Sequence, residues 1–354
     1  MTRLAVAGAT GLVGTKMLET LDRKQIPFDE LVLFSSARSA GKKVEFQGQS
    51  YTVQELTDEA ASEHFDYVLM SAGGSTSAHF APLFEAAGAI VIDNSSQWRM
   101  AEDVDLIVPE VNEPQFTRGI IANPNCSTIQ SVVPLKILQD AYGLKRVAYT
   151  TYQAVSGSGV KGKRDLTEGA NGKKPEAYPY PIYNNVLPHI DVFLENGYTK
   201  EEQKMIDETK KILNDQNLKV TATCVRVPVQ DSHSIEIDVT LNQDTTVKEI
   251  QELFAQDQRV VLVDNPSKNE YPLAIHSTGK DEVFIGRIRR DDSLENTLAI
   301  HSTGKDEVFI GRIRRDDSLE NTFHVWCTSD NLLKGAALNA VQVLEQILTL
   351  KGAR

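Results

Sequence analysis

Leu4-Ala5-Val6-Ala7-Gly8-Ala9-Thr10-Gly11-Leu12-Val13-Gly14 opens as a short apolar run, turns through three glycines and leads into Thr15 to Leu21, which can form a helix. Strand, glycine turn and helix in that order suit a bound pyrophosphate. Gly8, Gly11 and Gly14 let the backbone turn tightly and approach the phosphates, whose charge is met by free N–H groups at the helix N-terminus. The spacing is GxxGxxG rather than the commoner GxGxxG, and an ordinary turn is the bland alternative. Its place at the start of a βα unit favours the dinucleotide, with Thr10 and Val13 between the glycines as further cofactor contacts. Where the second strand ends, the acidic residue that would accept the ribose 2′-OH of NAD is missing, and Ser35-Ser36-Ala37-Arg38-Ser39 stands there. Hydroxyls and a guanidinium suit a 2′-phosphate, so NADP(H) is expected rather than NAD. The competing reading of Arg38 is a solvated loop arginine.

Outward from this turn, apolar runs at Leu4 to Ala7, Leu31 to Phe34, Tyr67 to Met70, Ile90 to Ile92 and Ile120–Ile121 alternate with amphipathic stretches. That alternation predicts βα units on a parallel sheet, hence an α/β, doubly wound N-terminal domain. After Cys126 the pattern changes. Gly157 to Lys174 reads as an active-site loop and Pro175 to Pro188 as a crossover. Thr199 to Gln216 reads as a helix, with Thr199 and Glu202 as a capping box. Lys219 to Val229 and Ser234 to Leu241 alternate like strands, and Leu332 to Leu350 is helical. The 25 residues Leu273 to Thr297 recur unchanged as Leu298 to Thr322. Two identical copies do not make a solenoid, which needs several repeats. Each copy holds one strand-like run, Val283 to Arg290 or Val308 to Arg315. One copy is expected to fill a strand and the other to loop out or add an edge hairpin.

The 354 residues, 41% hydrophobic and 24% charged, suffice for two cores, and the net charge of −12 disfavours nucleic acid or an anionic membrane as partner. No apolar run approaches a membrane span and no clear signal-peptide cleavage site occurs, so a cytoplasmic protein is expected. Three scattered cysteines, Cys126, Cys224 and Cys327, fit neither a disulfide framework nor a metal site; reduced thiols and no metal are expected.

Asn123-Pro124-Asn125-Cys126-Ser127-Thr128 precedes an apolar stretch, Ile129 to Leu138, that can begin a helix. Cys126 would then sit at a helix N-terminus, where the dipole and free N–H groups lower a thiol pKa from its usual value of about 8.5. Pro134 is expected to kink that helix or shift its start. A buried inert cysteine is the alternative. Arg226-Val227-Pro228 precedes His233 at a strand end. A histidine can take a thiol proton and return it, and an arginine can hold a carboxylate through two parallel hydrogen bonds.

Taken together, GATGLVG, SSARSAG, DNSSQWRM, NPNCST, TYQAVSGSG, PIYNNVLPHID, RVPVQDSHS and SDNLLKGAALNA, in that order, resemble aspartate-semialdehyde dehydrogenase over nearly the full chain. The resemblance implies NADPH-dependent reductive dephosphorylation of L-aspartyl 4-phosphate to L-aspartate 4-semialdehyde and phosphate, a step toward lysine, threonine and methionine. By motif, it implies Cys126 as nucleophile, His233 as acid/base and Gln153 as a residue that positions thiol and acyl carbonyl. Arg226 would hold the substrate α-carboxylate and Glu201 its α-amino group, with Arg99 and Lys204 on the departing phosphate. Glu201 and Lys204 also read as a plain i,i+3 ion pair. Ser156, Gly157 and Asn331 would join the cofactor contacts. The implied architecture is a Rossmann-like NADP-binding domain, residues 1–128 with 330–354, and a mixed α+β catalytic and dimerisation domain, residues 129–329, in a homodimer. N-acetyl-glutamyl-phosphate reductase, whose substrate lacks the free ammonium that Glu201 would meet, and a non-catalytic NADP-binding sensor are the competing readings.

Overall fold

In the computed structural model, residues 1–291 and 322–352 are described. The N-terminal sheet has seven parallel strands in the order β5-β2-β1-β6-β7-β9-β8. They are β1 (Arg3–Ala7), β2 (Glu30–Ser35), β5 (Gln54–Glu55), β6 (Tyr67–Met70), β7 (Ile90–Asp93), β8 (Asp105–Leu106) and β9 (Ile120–Ala122). A separate hairpin pairs β3 (Lys43–Phe46) with β4 (Gln49–Thr52). The chain winds outward from β1 in both directions, which leaves a crevice at the carboxyl ends of β1 and β6, the switch point where doubly wound sheets take ligands. Beyond Arg3, the central strands β1 and β6 are apolar and buried because both faces are covered. On one face lie α1 (Leu12–Arg23) and α9 (Leu338–Leu350), whose Ala340, Val341, Leu344 and Ile347 pack against Leu4, Val6 and Leu69. The short α2 (Asp58–Ala61) and α3 (Gly74–Ala86) complete the layers.

The second sheet is mixed, in the order β11-β10-β12-β15-β14-β13. Its strands are β10 (Leu144–Gln153), β11 (Lys219–Arg226), β12 (His233–Leu241), β13 (Val261–Leu262), β14 (Phe284–Arg290) and β15 (Thr322–Ser329). The helix α4 (Cys126–Tyr142) lies between the two sheets, with Ile129, Val132 and Val133 fully buried. Pro134 stands inside α4 without displacing its start. The carbonyl its ring leaves without an N–H partner, that of Gln130, accepts the Cys327 thiol at 3.3 Å, so the break expected of an interior proline is compensated from β15.

The stretch read as an active-site loop is folded: a 3₁₀ turn at Val155–Ser158 leads into α5 (Gly159–Gly169). Its glycines hid the helix. A side chain on Gly162 would come within 2.4 Å of the Val155 carbonyl, so close packing rather than flexibility requires glycine there. The helix α6 (Lys200–Ile212) carries the Thr199–Glu202 capping box, and α7 (Val247–Gln256) has one of its own. After the short α8 (Ala274–Ser277), the first copy of the repeat supplies β14, which pairs antiparallel with β15. The second copy up to Asn321 lies outside the described residues, and with it the expected loop or edge hairpin and the run Val308 to Arg315. Its last residue, Thr322, begins β15 and accepts the Asp291 N–H through its carbonyl at 2.9 Å. Among the described residues no helix is long and apolar enough to cross a membrane.

Candidate active site

The glycine turn forms a tight cradle. Gly8 has φ +86° and its missing Cβ would stand 2.2 Å from the Ser71 carbonyl oxygen; one on Gly14 would stand 2.2 Å from that of Gly8. The Gly11 N–H donates to the Gly8 carbonyl at 3.0 Å. Helix α1 begins directly after Gly11, with no side-chain cap and no acidic residue in its first turn, so its leading N–H groups face the crevice. A cavity of about 810 Å³ lies beside them, lined by Gly8, Thr10, Gly11, Ser35, Ser36, Arg38 and Ser39. The Thr10 and Ser35 hydroxyls are 2.9 Å apart. Lys42 and Glu55 also line this cavity, and sequence reasoning missed both. Glu55 reaches the site through the pairing of β5 with β2, and Lys42 lies just beyond the Ser35 to Gly41 stretch.

A second cavity, of about 630 Å³, shares Gly11 and Ser71 with the first. It brings together every expected catalytic and substrate residue: Cys126, His233, Gln153, Arg99, Glu201, Lys204 and Arg226. Val13, Ser156, Gly157 and Asn331 also line it, whereas the buried Gly14 lines neither cavity and packs against Gly8 at the base of the turn. Cys126 is the first residue of α4. Its N-cap, Asn125, accepts the N–H groups of Ser127 and Thr128 at 2.9 and 3.3 Å.

Cys126 Sγ lies 3.3 Å from His233 Nε2, and the Ala154 N–H donates to His233 Nδ1 at 3.0 Å. With Nδ1 accepting, the neutral ring carries its proton on Nε2, aimed at the sulfur. Taking the thiol proton would require the Ala154 bond to be given up. Ser232, just before His233, holds φ +71°, and its N–H donates to Asn331 Oδ1 at 3.0 Å. Asn331 Oδ1 also accepts the Ser156 hydroxyl at 3.1 Å.

The charges differ from the expectation at one point. Burial, followed by the Glu201 carboxylate, pushes the Cys126 thiol up to about 11 rather than down. Arg226, Arg99 and the Ser127 N–H oppose this without reversing it, so the helix terminus alone does not make a thiolate. Burial and then Arg226 push the His233 imidazole down to about 3. Burial raises the Glu201 carboxyl, but Lys204, Asn125 and Gln153 outweigh it and hold it below the usual carboxylate range.

The polar contacts explain the placement. Glu201 accepts from Asn125 Nδ2 at 2.9 Å, Gln153 Nε2 at 3.1 Å and Lys204 Nζ at 3.1 Å, and Lys204 also donates to Asp191 at 2.8 Å. The i,i+3 pair is therefore real and lies inside the site. Gln153 Nε2 also donates to the Ser127 hydroxyl. The buried Arg226 donates from Nη1 to the Ala154 carbonyl at 2.7 Å. Its Nε is buried without a hydrogen-bond partner, an arrangement that calls for an anionic acceptor.

Sequence reasoning missed Glu208, which is buried and pairs with Arg99 at 3.1 Å. The signal was present: Glu201, Lys204, Glu208 and Lys211 recur at helical spacing on one face of α6. It also missed Gly335, where a Cβ would lie 2.8 Å from that of Cys126. Gly335 belongs to a π turn, Leu333–Ala337, beside the buried Lys334, which donates to Glu110 at 2.6 Å, Asn339 at 3.0 Å and Gln342 at 2.9 Å.

Residues 3–118 match the family model described as semialdehyde dehydrogenase, NAD binding domain, and residues 135–304 match that of the semialdehyde dehydrogenase dimerisation domain. The aspartate-semialdehyde dehydrogenase of Aquifex aeolicus (strain VF5) is 46% identical, with 98% of each chain covered. That of Bacillus subtilis (strain 168) is 45% identical, covering 98% of this chain and 97% of its own. Among solved structures, aspartate semialdehyde dehydrogenase II of Vibrio cholerae complexed with ASA superposes with a TM-score of 0.85 at 38% identity, over 99% of this chain and 98% of that one. Full-length similarity at this level accompanies a cysteine, a histidine and paired cations gathered beside a dinucleotide crevice, and the chain belongs to the aspartate-semialdehyde dehydrogenase family.

Proposed function

We infer that this chain reduces L-aspartyl 4-phosphate to L-aspartate 4-semialdehyde and phosphate with NADPH, through a thioester on Cys126. The observation that carries the reading is Cys126 Sγ at 3.3 Å from His233 Nε2, inside a cavity that also holds Arg226, Glu201, Arg99 and Lys204. Arg226 takes the substrate α-carboxylate on its free guanidinium edge, and Glu201 takes the ammonium. With the Ala154 bond to its Nδ1 given up, His233 takes the thiol proton on Nε2 as the Cys126 sulfur forms a bond to the acyl carbon and the carbon–oxygen bond to phosphate breaks. It returns that proton when the thiol is released. Arg99 and Lys204 neutralise the departing anion. His233 holds its Nε2 proton toward the sulfur and the developing oxyanion, while Gln153 fixes Glu201 and the start of α4. NADPH, when bound, supplies the hydride that turns the thioester carbon into the aldehyde as the carbon–sulfur bond breaks.

The cavity at the end of β2 suits a 2′-phosphate through Ser35, Ser36, Ser39 and Arg38, and Gly8, Thr10, Gly11, Val13 and Gly14 form the pyrophosphate turn. Ser156, Gly157 and Asn331 are assigned to the nicotinamide end. We further assign residues 1–128 with 330–354 to the cofactor domain and 129–329 to catalysis and dimerisation. A homodimer is supported by the matched dimerisation-domain model, and a cytoplasmic location by three free thiols. The test is the reverse reaction on purified protein: phosphate-dependent reduction of NADP with L-aspartate 4-semialdehyde. Turnover that needs all three supports the reading; no turnover, or turnover without phosphate, overturns it.

A further inference from the structure

Pro124 has no N–H, yet the chain on both sides of it is gripped. Arg99 Nε donates to the Asn123 carbonyl at 2.9 Å, Arg99 Nη1 donates to Glu208 Oε1 at 3.1 Å, and the Asn125 N–H donates to Glu208 Oε2 at 2.6 Å. These bonds and the backbone from Asn123 to Asn125 close a ring. Its two side chains come from different elements, Arg99 from the loop after β7 and Glu208 from α6. One turn on, Lys211 holds the same loop by donating to the carbonyls of Arg99, Ala101 and Val104 at 2.9, 2.7 and 2.8 Å. Arg99 Nη2 is anchored on the Asn94 carbonyl at 3.1 Å. Asn125 is the N-cap of the helix that begins with Cys126. The ring thus ends one residue from the sulfur.

We propose that Glu208 is a positioning residue that ties the Arg99 guanidinium to the start of the Cys126 helix, fixing the separation between the anion subsite and the nucleophile. This rests on the reading of Arg99 and Cys126 given above. Both carboxylate oxygens are needed, since an amide offers one acceptor and turns its NH₂ toward a second donor. Burial raises the Glu208 carboxyl, against the Arg99 charge and the Asn125 N–H. The ring holds while that carboxyl is ionised.

The test is reverse-direction kinetics of the full-length enzyme and its Glu208→Gln, Arg99→Lys and doubly substituted variants. Each single change should raise the KM for inorganic phosphate and lower kcat, both roughly tenfold, because a charge-assisted bond is lost. The KM for the semialdehyde should stay within about twofold, and the double variant should be no worse than the worse single one, since both break one ring. Additive losses, or a lower phosphate KM in Glu208→Gln as expected of a mere counter-charge, overturn the proposal. If Glu208→Gln does not fold, Arg99→Lys still decides through iodoacetamide alkylation of Cys126. Slower alkylation supports the ring, because Arg99→Lys keeps the positive charge that opposes the rise of the thiol and loses the fork that spans Asn123 and Glu208; an unchanged rate overturns it. Alkylation needs no substrate, so it tests the ring even where the wild type shows no phosphate-dependent turnover and the proposed function itself fails.

Discussion

At the scale of single residues, the site is a contest between burial and charge around one sulfur. Burial and the Glu201 carboxylate push the Cys126 thiol up to about 11, and only the thiolate is alkylated. The rate of iodoacetamide modification should therefore climb with pH through the whole range from neutrality upward, by about tenfold per pH unit, and level off only near pH 11. A plateau below pH 9 would show that the resting sulfur is already ionised. Cys126→Ala should abolish turnover while leaving NADPH affinity within a few-fold, measured by fluorescence titration, since the thiol lines the chemical cavity and not the glycine cradle. Binding and chemistry should also separate between two neighbours. Arg226→Lys keeps the charge and loses the planar fork, so substrate KM should rise by roughly tenfold or more. His233→Asn should act on kcat instead, and the opposite pattern in steady-state kinetics would reverse the roles.

At the scale of elements, helix ends and turns do the placing. The π turn Leu333–Ala337 brings Gly335 so close to Cys126 that Gly335→Ala should push the nucleophile aside, with a loss of about 1–3 kcal/mol in thermal unfolding and a larger fall in kcat than in cofactor affinity. At the end of β2, Arg38→Ala should weaken NADPH selectively; equal losses for NADH and NADPH in binding titrations would mean that Arg38 does not read the 2′-phosphate. The parallel strands β1, β2, β6, β7 and β9 were legible because each holds an apolar run between turn signals, and the α6 capping box because its residues are local; β5 (Gln54–Glu55) and β8 (Asp105–Leu106) are two-residue strands without such a run and were missed. The cysteine helix was legible at its start, but Pro134 argued against its continuity, and the compensating thiol of Cys327 comes from a strand far along the chain. α5 was missed because its glycines mask the helical pattern: Gly162 is there for contact with Val155 and Gly169 lies against Tyr183, which no local pattern encodes. The direction of the Cys126 shift was missed for a related reason: burial and the Glu201 charge belong to the assembled cavity, whereas the helix terminus is visible in the sequence. Arg99 was legible as a motif residue, but its bond to Glu208 was not, since the two meet only when α6 docks beneath the loop after β7.

At the scale of the whole molecule, two sheets meet across α4, and the repeat spans the stretch between β13 and β15, its first copy supplying α8 and β14. Because the copies are identical, deleting Leu273–Thr297 or Leu298–Thr322 gives the same polypeptide. In it a threonine again precedes Phe323, and its carbonyl can accept the Asp291 N–H as that of Thr322 does now. The shortened protein should fold and keep its kcat, and scanning calorimetry should show it more stable by about 1–2 kcal/mol through the smaller loop-closure cost; failure to fold would show that the repeat is integral. That one backbone hydrogen bond has a practical side. With Asp291 and Thr322 already fastened to each other, the outgoing and returning strands are in register whatever is written between them, and the catalytic cavity lies at the opposite, Ser329 and His233 end of the same strands. A reporter or affinity module spliced between Asp291 and Thr322 should thus travel with the enzyme and leave its kcat unchanged.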